Sequence, residues 1–278
     1  MYRCLGPRMI GIEQPFPDAA ALASRYGFEG IQVDLEYLLT NGADDYRSIL
    51  DEHNLQSGSI GLPFRIDATQ EEYEEGIERL PDVAMTVAEI GCSRASTYIM
   101  SFSDERNFDE NFAFHKQRLQ PVAEILADDE ISLALEFLGP ETIREGYAYD
   151  FIHTASGMLD LCDAVGDNVG LLLDSWHWYT SGDDAETLRS LTREDVVDVH
   201  INDAPDRPRE EQIDNERALP GATGVIDIAT FLQELNRMGY DGPITAEPFS
   251  DELAAMEDEK AVTSIQSAFD DAWESAGL

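Results

Sequence analysis

Short apolar runs alternate along this chain with longer segments of helical period. The apolar runs fall at Tyr2–Leu5, Gly30–Asp34, Gln56–Leu62, Arg94–Met100, Ile131–Phe137, Val169–Asp174, Val196–Asn202 and Pro243–Glu247. Several, such as ISLALEF and VGLLLD, are almost continuous in Val, Ile and Leu, the pattern of parallel strands covered on both faces. Between them lie amphipathic segments. After Thr69, the residues Tyr73, Ile77, Leu80, Ala84 and Val87 recur at three- and four-residue spacing, while Glu71, Glu72, Glu74, Glu75 and Glu78 take the other positions. Ile228, Leu232, Leu235 and Met238 repeat the pattern near the end. Gly27, Gly91, Gly166 and Gly239 follow such segments, where a left-handed cap residue is expected. Each gap between strands is long enough for one crossover helix with its loops, the connection that parallel strands require. Eight strand-then-helix units in 278 residues predict an α/β fold, a closed (β/α)8 TIM barrel spanning residues 1–278 as one domain. An open doubly wound sheet would show a Gly-rich phosphate turn after its first strand, and Gly-x-Gly-x-x-Gly is absent.

The polar residues at the strand ends carry the chemistry. ISLALEF delivers Glu136, VGLLLD ends on Asp174, VVDVH on His200 and PITAE on Glu247. Strands five to eight of a barrel would send all four side chains into one mouth, the face that holds the active site in this architecture. Three carboxylates gathered there without a cation would repel one another and suffer desolvation, a conflict that a bound cation resolves. Three carboxylates and an imidazole suit one divalent metal ion, Mn²⁺ first, with Mg²⁺, Co²⁺ or Zn²⁺ as alternatives. His177 lies three residues beyond Asp174. The other histidines, His53, His115 and His153, fall in predicted helices away from strand ends. The longest gap, APDRPREEQIDNERALPGATG after strand seven, is too polar and irregular for a crossover alone and reads as a loop over the mouth.

The stretches LALEF, LLLDSWHWY, DVHINDAP, LPGATGVIDI and GYDGPITAEPF resemble the sugar phosphate isomerase/epimerase superfamily with its xylose-isomerase-like barrel. That superfamily includes ketose 3-epimerases, hydroxypyruvate isomerases, and inosose isomerases and dehydratases. The resemblance implies Glu136, Asp174, His200 and Glu247 as metal ligands and His177 as the group that hydrogen-bonds a substrate oxygen. It also suggests an arginine near Arg207 for substrate binding. The related multi-zinc endonuclease type adds histidines at the ends of strands three and four and an Asp-x-His pair after strand seven. SIGLPF and TYIMSF hold no histidine, and no Asp-x-His follows His200, so a DNA-repair site lacks its ligands.

The expected function is a metal-dependent isomerase or epimerase of a ketose, keto-sugar or cyclitol, working through an enediolate. Glu136 and Glu247 are the two acid/base groups that remove and return a proton. A lyase on the same scaffold, dehydrating an inosose or eliminating from a 3-keto-glycoside, is the alternative. A non-catalytic sugar-binding barrel is the third reading. Trp176, Trp178 and Tyr179 offer an apolar wall for a sugar face. Glu141, Arg144, Phe64 and Arg65 follow strand ends with weaker claims on the mouth.

Composition narrows the partners. The net charge of −39, with only two lysines, Lys116 and Lys260, opposes nucleic acid and anionic membranes. An even acidic coat reads as a halophilic surface, since self-repulsion is screened over roughly 3 Å at about 1 M salt. The three cysteines, Cys4, Cys92 and Cys162, have no CxxC spacing and read as buried hydrophobes in a reducing compartment. The start shows no signal-peptide pattern and no stretch reaches the length of a membrane span, so a cytoplasmic location is expected. The expected partner is a small-molecule sugar, with a homo-oligomer left open.

Overall fold

The computed structural model describes all 278 residues. Its main sheet is built from β1 (Tyr2–Leu5), β2 (Gly30–Ile31), β3 (Gln56–Ser57), β4 (Ile60–Gly61) and β5 (Arg94–Ile99) in the first half. After a short β6 (Phe102–Ser103), the second half supplies β7 (Ser132–Phe137) and, beyond another short piece, β8 (Tyr149–Asp150), the strands β9 (Val169–Asp174), β10 (Val196–Ile201) and β11 (Pro243–Ala246). The order is β3-β2-β1-β11-β10-β9-β7-β5-β4, and every pairing is parallel. Its two end strands, β3 and β4, are separated only by Gly58 and Ser59. The sheet therefore closes on itself, and the two pieces are halves of one strand in an eight-membered barrel. The antiparallel pair β6–β8 stands apart from it.

The expected strand Gln56–Leu62 is thus split. Inside it the Ser59 N–H goes to the side-chain oxygen of Gln32 at 3.0 Å, where an uninterrupted ladder would use a backbone carbonyl. The second strand stops at Ile31, short of the expected Asp34, because Asp34 turns to cap a helix, accepting from Tyr37 N at 3.0 Å.

The helices cover the outside: α1 (Phe16–Arg25), α2 (Leu35–Asn41), α3 (Ala43–His53), α4 (Gln70–Glu89), α5 (Phe108–Asp128) and the one-turn α6 (Glu141–Arg144). Then come α7 (Ala155–Val165), α8 (Ser175–Ser181), α9 (Ala185–Ser190), α10 (Ile228–Met238), α11 (Asp251–Ala254) and α12 (Asp258–Ala276). The periodic segment after Thr69 is α4, opened by a capping box between Thr69 and Glu72, and it buries Tyr73, Leu80, Ala84 and Val87. Gly27, Gly91 and Gly239 adopt the left-handed conformation expected of caps. Gly166 instead is extended at φ 172° and is followed by a short turn before β9. His153 falls in the loop before α7 rather than in a helix, its ring bonded to Phe151 O. One core of 65 buried residues joins barrel and helices. All three cysteines are buried and free. No helix is long and apolar enough to cross a membrane.

Candidate metal centre

Asp174 ends β9, Glu136 and His200 each lie one residue inside the ends of β7 and β10, and Glu247 follows β11. Neighbouring parallel strands place these ends side by side: His200 is in register with Asp174 on one side and with Thr245 on the other. One ligand atom from each of the four side chains lies within 4.8 Å of the others. His200 Nδ1 stands 3.9 Å from Glu136 Oε1 and 3.6 Å from Glu247 Oε2.

Local structure fixes each group. Asp174 is both the end of β9 and the N-cap of α8, where its Oδ1 accepts from Trp176 N at 2.8 Å. Asn202, just past β10, accepts from Glu247 N through its side-chain oxygen at 2.9 Å and aims its amide at both Asp174 oxygens at 3.4 Å. Below His200, the wholly buried Asp198 accepts from Ser59 Oγ, and Gln32 bridges Ser59 to Thr245 Oγ1.

His177, on the first turn of α8, accepts from Gly139 N through Nδ1 at 3.2 Å. With Nδ1 accepting, a neutral imidazole would carry its proton on Nε2, a nitrogen that also stands 3.4 Å from the donor Nη2 of Arg217. It points into the cluster, 3.9 Å from Glu136 Oε1 and 3.8 Å from Asp214 Oδ1.

The arginine that reaches the site is Arg217. Its Nη1 donates to Asp174 Oδ2 at 2.8 Å and to Glu247 Oε2 at 3.0 Å, and its Nη2 to Asp214 Oδ1 at 2.9 Å. The guanidinium lies over the rings of Trp176 and Phe249, 5.4 and 4.3 Å from their centroids. Arg207, in the same loop, pairs with Glu216 instead. The loop is rich in acids and has no hydrophobic period, so nothing in it marked one arginine over another. Trp176 is wholly buried behind Arg217, and burial makes it a backing of the site rather than an open wall. Trp178 donates to Asp184 O, and Tyr179 carries the Arg209 guanidinium over its ring. Arg144 donates to the carbonyls of Gly139 and Pro140, bracing the turn that holds His177. Phe64 and Arg65 line the cavity above Glu136, where Arg65 is bound to Asp67 and Tyr98.

That cavity measures about 400 Å³ and has Glu136, His200 and Glu247 in its floor, with Met9, Gln32, Ser59 and Tyr98 among its walls. A larger neighbouring cavity of about 480 Å³ shares Met9, Gln32, Ser59 and Gly61 with it but touches none of the four clustered residues. The chemistry belongs to the smaller one.

Burial and the adjacent Glu247 charge push the Glu136 carboxyl well above the usual carboxylate range. Burial also raises Asp174, against the pull of Arg217 and His200. Burial works against a charged His200, but the carboxylates of Glu247 and Glu136 outweigh it and raise the imidazole to about 10. Glu247, opposed by burial, is held low by His200 and Arg217. Burial, then Arg217 and His200, keep His177 neutral. Two cations, a protonated imidazole and a guanidinium, thus stand against the carboxylates.

Two atoms in this cluster are left over. Glu136 Oε1 and His200 Nδ1 are buried and have no hydrogen-bond partner. Unpaired buried polar atoms are costly, and two ligands of a single ion stand roughly 3–4 Å apart when each is about 2 Å from it. The 3.9 Å separation fits that geometry. The four donors can hold one divalent cation.

A family model described as the xylose isomerase-like TIM barrel matches residues 20–269. An inosose isomerase of Bacillus velezensis is 23% identical over 248 residues, 87% of this chain and 86% of the relative. A ketose 3-epimerase of Arthrobacter globiformis is 26% identical over 239 residues, 82% of this chain and 76% of the relative. Among solved structures, a xylose isomerase domain protein from Alicyclobacillus acidocaldarius superposes over the whole of both chains with a TM-score of 0.90 at 27% identity. The IOLI protein, solved with a zinc atom, superposes with a TM-score of 0.82 at 22% identity over 98% of each chain.

Proposed function

The chain belongs to the xylose isomerase-like TIM barrel family, and from that premise we propose that it is a divalent-metal-dependent isomerase or epimerase of a ketose, keto-sugar or cyclitol. The observation that carries this reading is the pair of unpartnered buried atoms, Glu136 Oε1 and His200 Nδ1, in a four-ligand cluster under an open cavity. Glu136, Asp174, His200 and Glu247 would hold the ion. Mn²⁺ is the first choice for three carboxylates and one imidazole, and the zinc in the IOLI structure makes Zn²⁺ the ion to test beside it.

The bound cation supplies Lewis-acid polarisation of a substrate carbonyl. Everything else comes from this chain's own groups. Glu136 and Glu247, from opposite sides of the Asp174–His200 pair, are the acid/base residues: one takes the proton from the carbon beside the carbonyl and the other returns one. His177 donates its Nε2 proton to a substrate oxygen, and because it is neutral it does so without contesting the cation's place. Arg217 places a fixed positive charge beside the two carboxylates and orients them. Return of the proton to the opposite face of the same carbon epimerises, and return to the adjacent carbon isomerises.

The test begins with metal content per chain, by elemental analysis of protein purified in molar KCl, for wild type beside H200A. About one ion per wild-type chain, lost in the variant, is expected. Ketoses are then screened for deuterium exchange at the carbon next to the carbonyl, which E136Q and E247Q should each abolish with the fold intact. A wild-type site that also refuses added Mn²⁺ and Zn²⁺ would sink the proposal, and near-wild-type turnover in either Gln variant would sink the two-base scheme. Net loss of water from the substrate would turn the assignment to the lyase.

A further inference from the structure

The loop between β10 and α10 has one short 3₁₀ turn, Arg209–Glu211, and is otherwise irregular, yet it delivers the deeply buried Arg217 to the carboxylates of β9 and β11. A loop of this length loses considerable entropy when one side chain in its middle is fixed. Something must hold it, and the anchor is Asp203, the second residue past β10.

Asp203 is wholly buried. Its Oδ1 accepts from Ala204 N at 2.8 Å and from Ile226 N at 2.9 Å. Its Oδ2 accepts from Thr223 N at 2.9 Å and Gly224 N at 2.7 Å. One carboxylate thus ties the start of the loop to its last turn. Its backbone does a second task, exchanging hydrogen bonds with Ala218 in both directions at 2.9 and 2.8 Å. Ala218 is the residue next to Arg217. Thr223 Oγ1 closes the same clasp by donating to Ala204 O at 2.6 Å.

From this geometry we propose that Asp203 is a positioning residue that sets Arg217 across Asp174 and Glu247 and thereby sets the affinity of the cluster for a divalent cation; the inference rests on the metal reading above. A guanidinium within 3.0 Å of two ligand oxygens contests those oxygens with any entering cation and repels it as a like charge. A fixed Arg217 therefore holds the affinity down, and a released one lets it rise. Replacing Asp203 by Asn turns one acceptor oxygen into an amide that faces the N–H groups of Thr223 and Gly224, or of Ala204 and Ile226, so half the clasp is lost.

The experiment is a titration of metal-stripped protein with Mn²⁺ in molar KCl, read by calorimetry, for wild type, D203N, R217M and the double variant. R217M should bind Mn²⁺ about tenfold or more tightly than wild type. D203N should shift in the same direction by a smaller factor, and in the R217M background it should add nothing. Trypsin supplies a reading that needs no metal: D203N should be cut at Arg217–Ala218, a bond protected in wild type. If D203N does not fold, T223V removes the Thr223 Oγ1–Ala204 O bond and the one Val225 N donates to that hydroxyl, leaves the Asp203 carboxylate in place, and should give the same shifts in milder form. The proposal is overturned if D203N changes affinity equally in both backgrounds, or leaves both affinity and cleavage at wild-type values. Those results leave the metal site standing, whereas a wild-type chain that takes no Mn²⁺ overturns the metal reading and this inference with it.

Discussion

Gly139 sits on the turn after β7 with its face against the His177–Ser181 side of α8, and a single methyl group there should uncouple substrate handling from metal binding. A Cβ built on Gly139 would stand 2.4 Å from His177 O, 2.5 Å from Thr180 Oγ1 and 2.7 Å from Ser181 N. Ordinary contact begins near 3.4 Å, so α8 and the turn must part by about 1 Å. Two of the three obstructing atoms are backbone, so no rotamer change relieves the clash. Overpacking of this kind costs about 1–3 kcal/mol, a fall in Tm of a few degrees for a chain of this size. The functional loss should be larger. The shift opens the 3.2 Å bond from Gly139 N to His177 Nδ1, which fixes the tautomer and direction of the ring. A misplacement of about 1 Å in a positioned group can cost roughly 100-fold in rate. The four clustered side chains come from strand ends, so G139A should keep close to its full metal content. The assay pairs thermal unfolding and elemental analysis with kcat/KM on whichever ketose the exchange screen identifies. A G139A protein with wild-type kcat/KM would refute the role given to His177. Loss of metal together with activity would show that α8 and Asp174 move as one body, against the separation argued here.

Three further outcomes are expected. R217M leaves Asp174 and Glu247 buried without their partner, a loss of about 3–5 kcal/mol in metal-free protein; Mn²⁺ at about 1,000 times its Kd should return about 4 kcal/mol, and urea unfolding with and without Mn²⁺ checks both. His115 is buried with its ring pinned to Asn111 O, and burial depresses it to about 4 from an ordinary 6.5. Its contribution to stability is complete above pH 6.5 and lost as pH falls towards 4, because the unfolded chain takes up a proton that the fold refuses, about 3 kcal/mol in all; H115Q should unfold with a flatter pH profile over that range, and an unchanged slope would remove the histidine from the account. With a net charge of −39, the unfolding midpoint should climb between about 0.1 and 1 M KCl as the Debye length drops from about 10 to 3 Å, and a midpoint indifferent to salt would contradict the reading of the acidic coat.

The parts of this protein that were legible in its sequence are those governed by periodicity. A strand that is apolar on both faces and then breaks on a carboxylate announces both an element and an end, so Glu136, Asp174, His200 and Glu247 could be grouped before any coordinates existed. His177 lies one turn past such an end, and its expected role came from the family resemblance rather than from periodicity. Arg217 obeys no such rule: its position is set by hydrogen bonds that backbone amides some twenty residues away donate to the Asp203 carboxylate, and a sequence does not display those. Arg207 and Arg217 look alike in composition and differ only in which way the tied loop turns them. The split at Gly58–Ser59 was hidden for a related reason, since it depends on the Gln32 side chain replacing a backbone acceptor.

The ring of strands is uneven. From β5 through β7 and β9 to β10 the strands run six residues each, whereas β2, β3 and β4 have only two. The long arc supplies three of the four clustered side chains, and the short arc, with Gln32, Ser59 and Gly61, supplies a wall of the cavity above them. Few ladder bonds hold the short arc, so it is the seam where local opening costs least. Glu136, Asp174 and His200 are thereby mounted on the stiff side of the molecule, and the yielding side walls the cavity above them. On the proposed function, a barrel divided in this way would change which sugar it accepts through substitutions around residues 30–62 while its proton chemistry stays as it is, and its diversification should run along that seam.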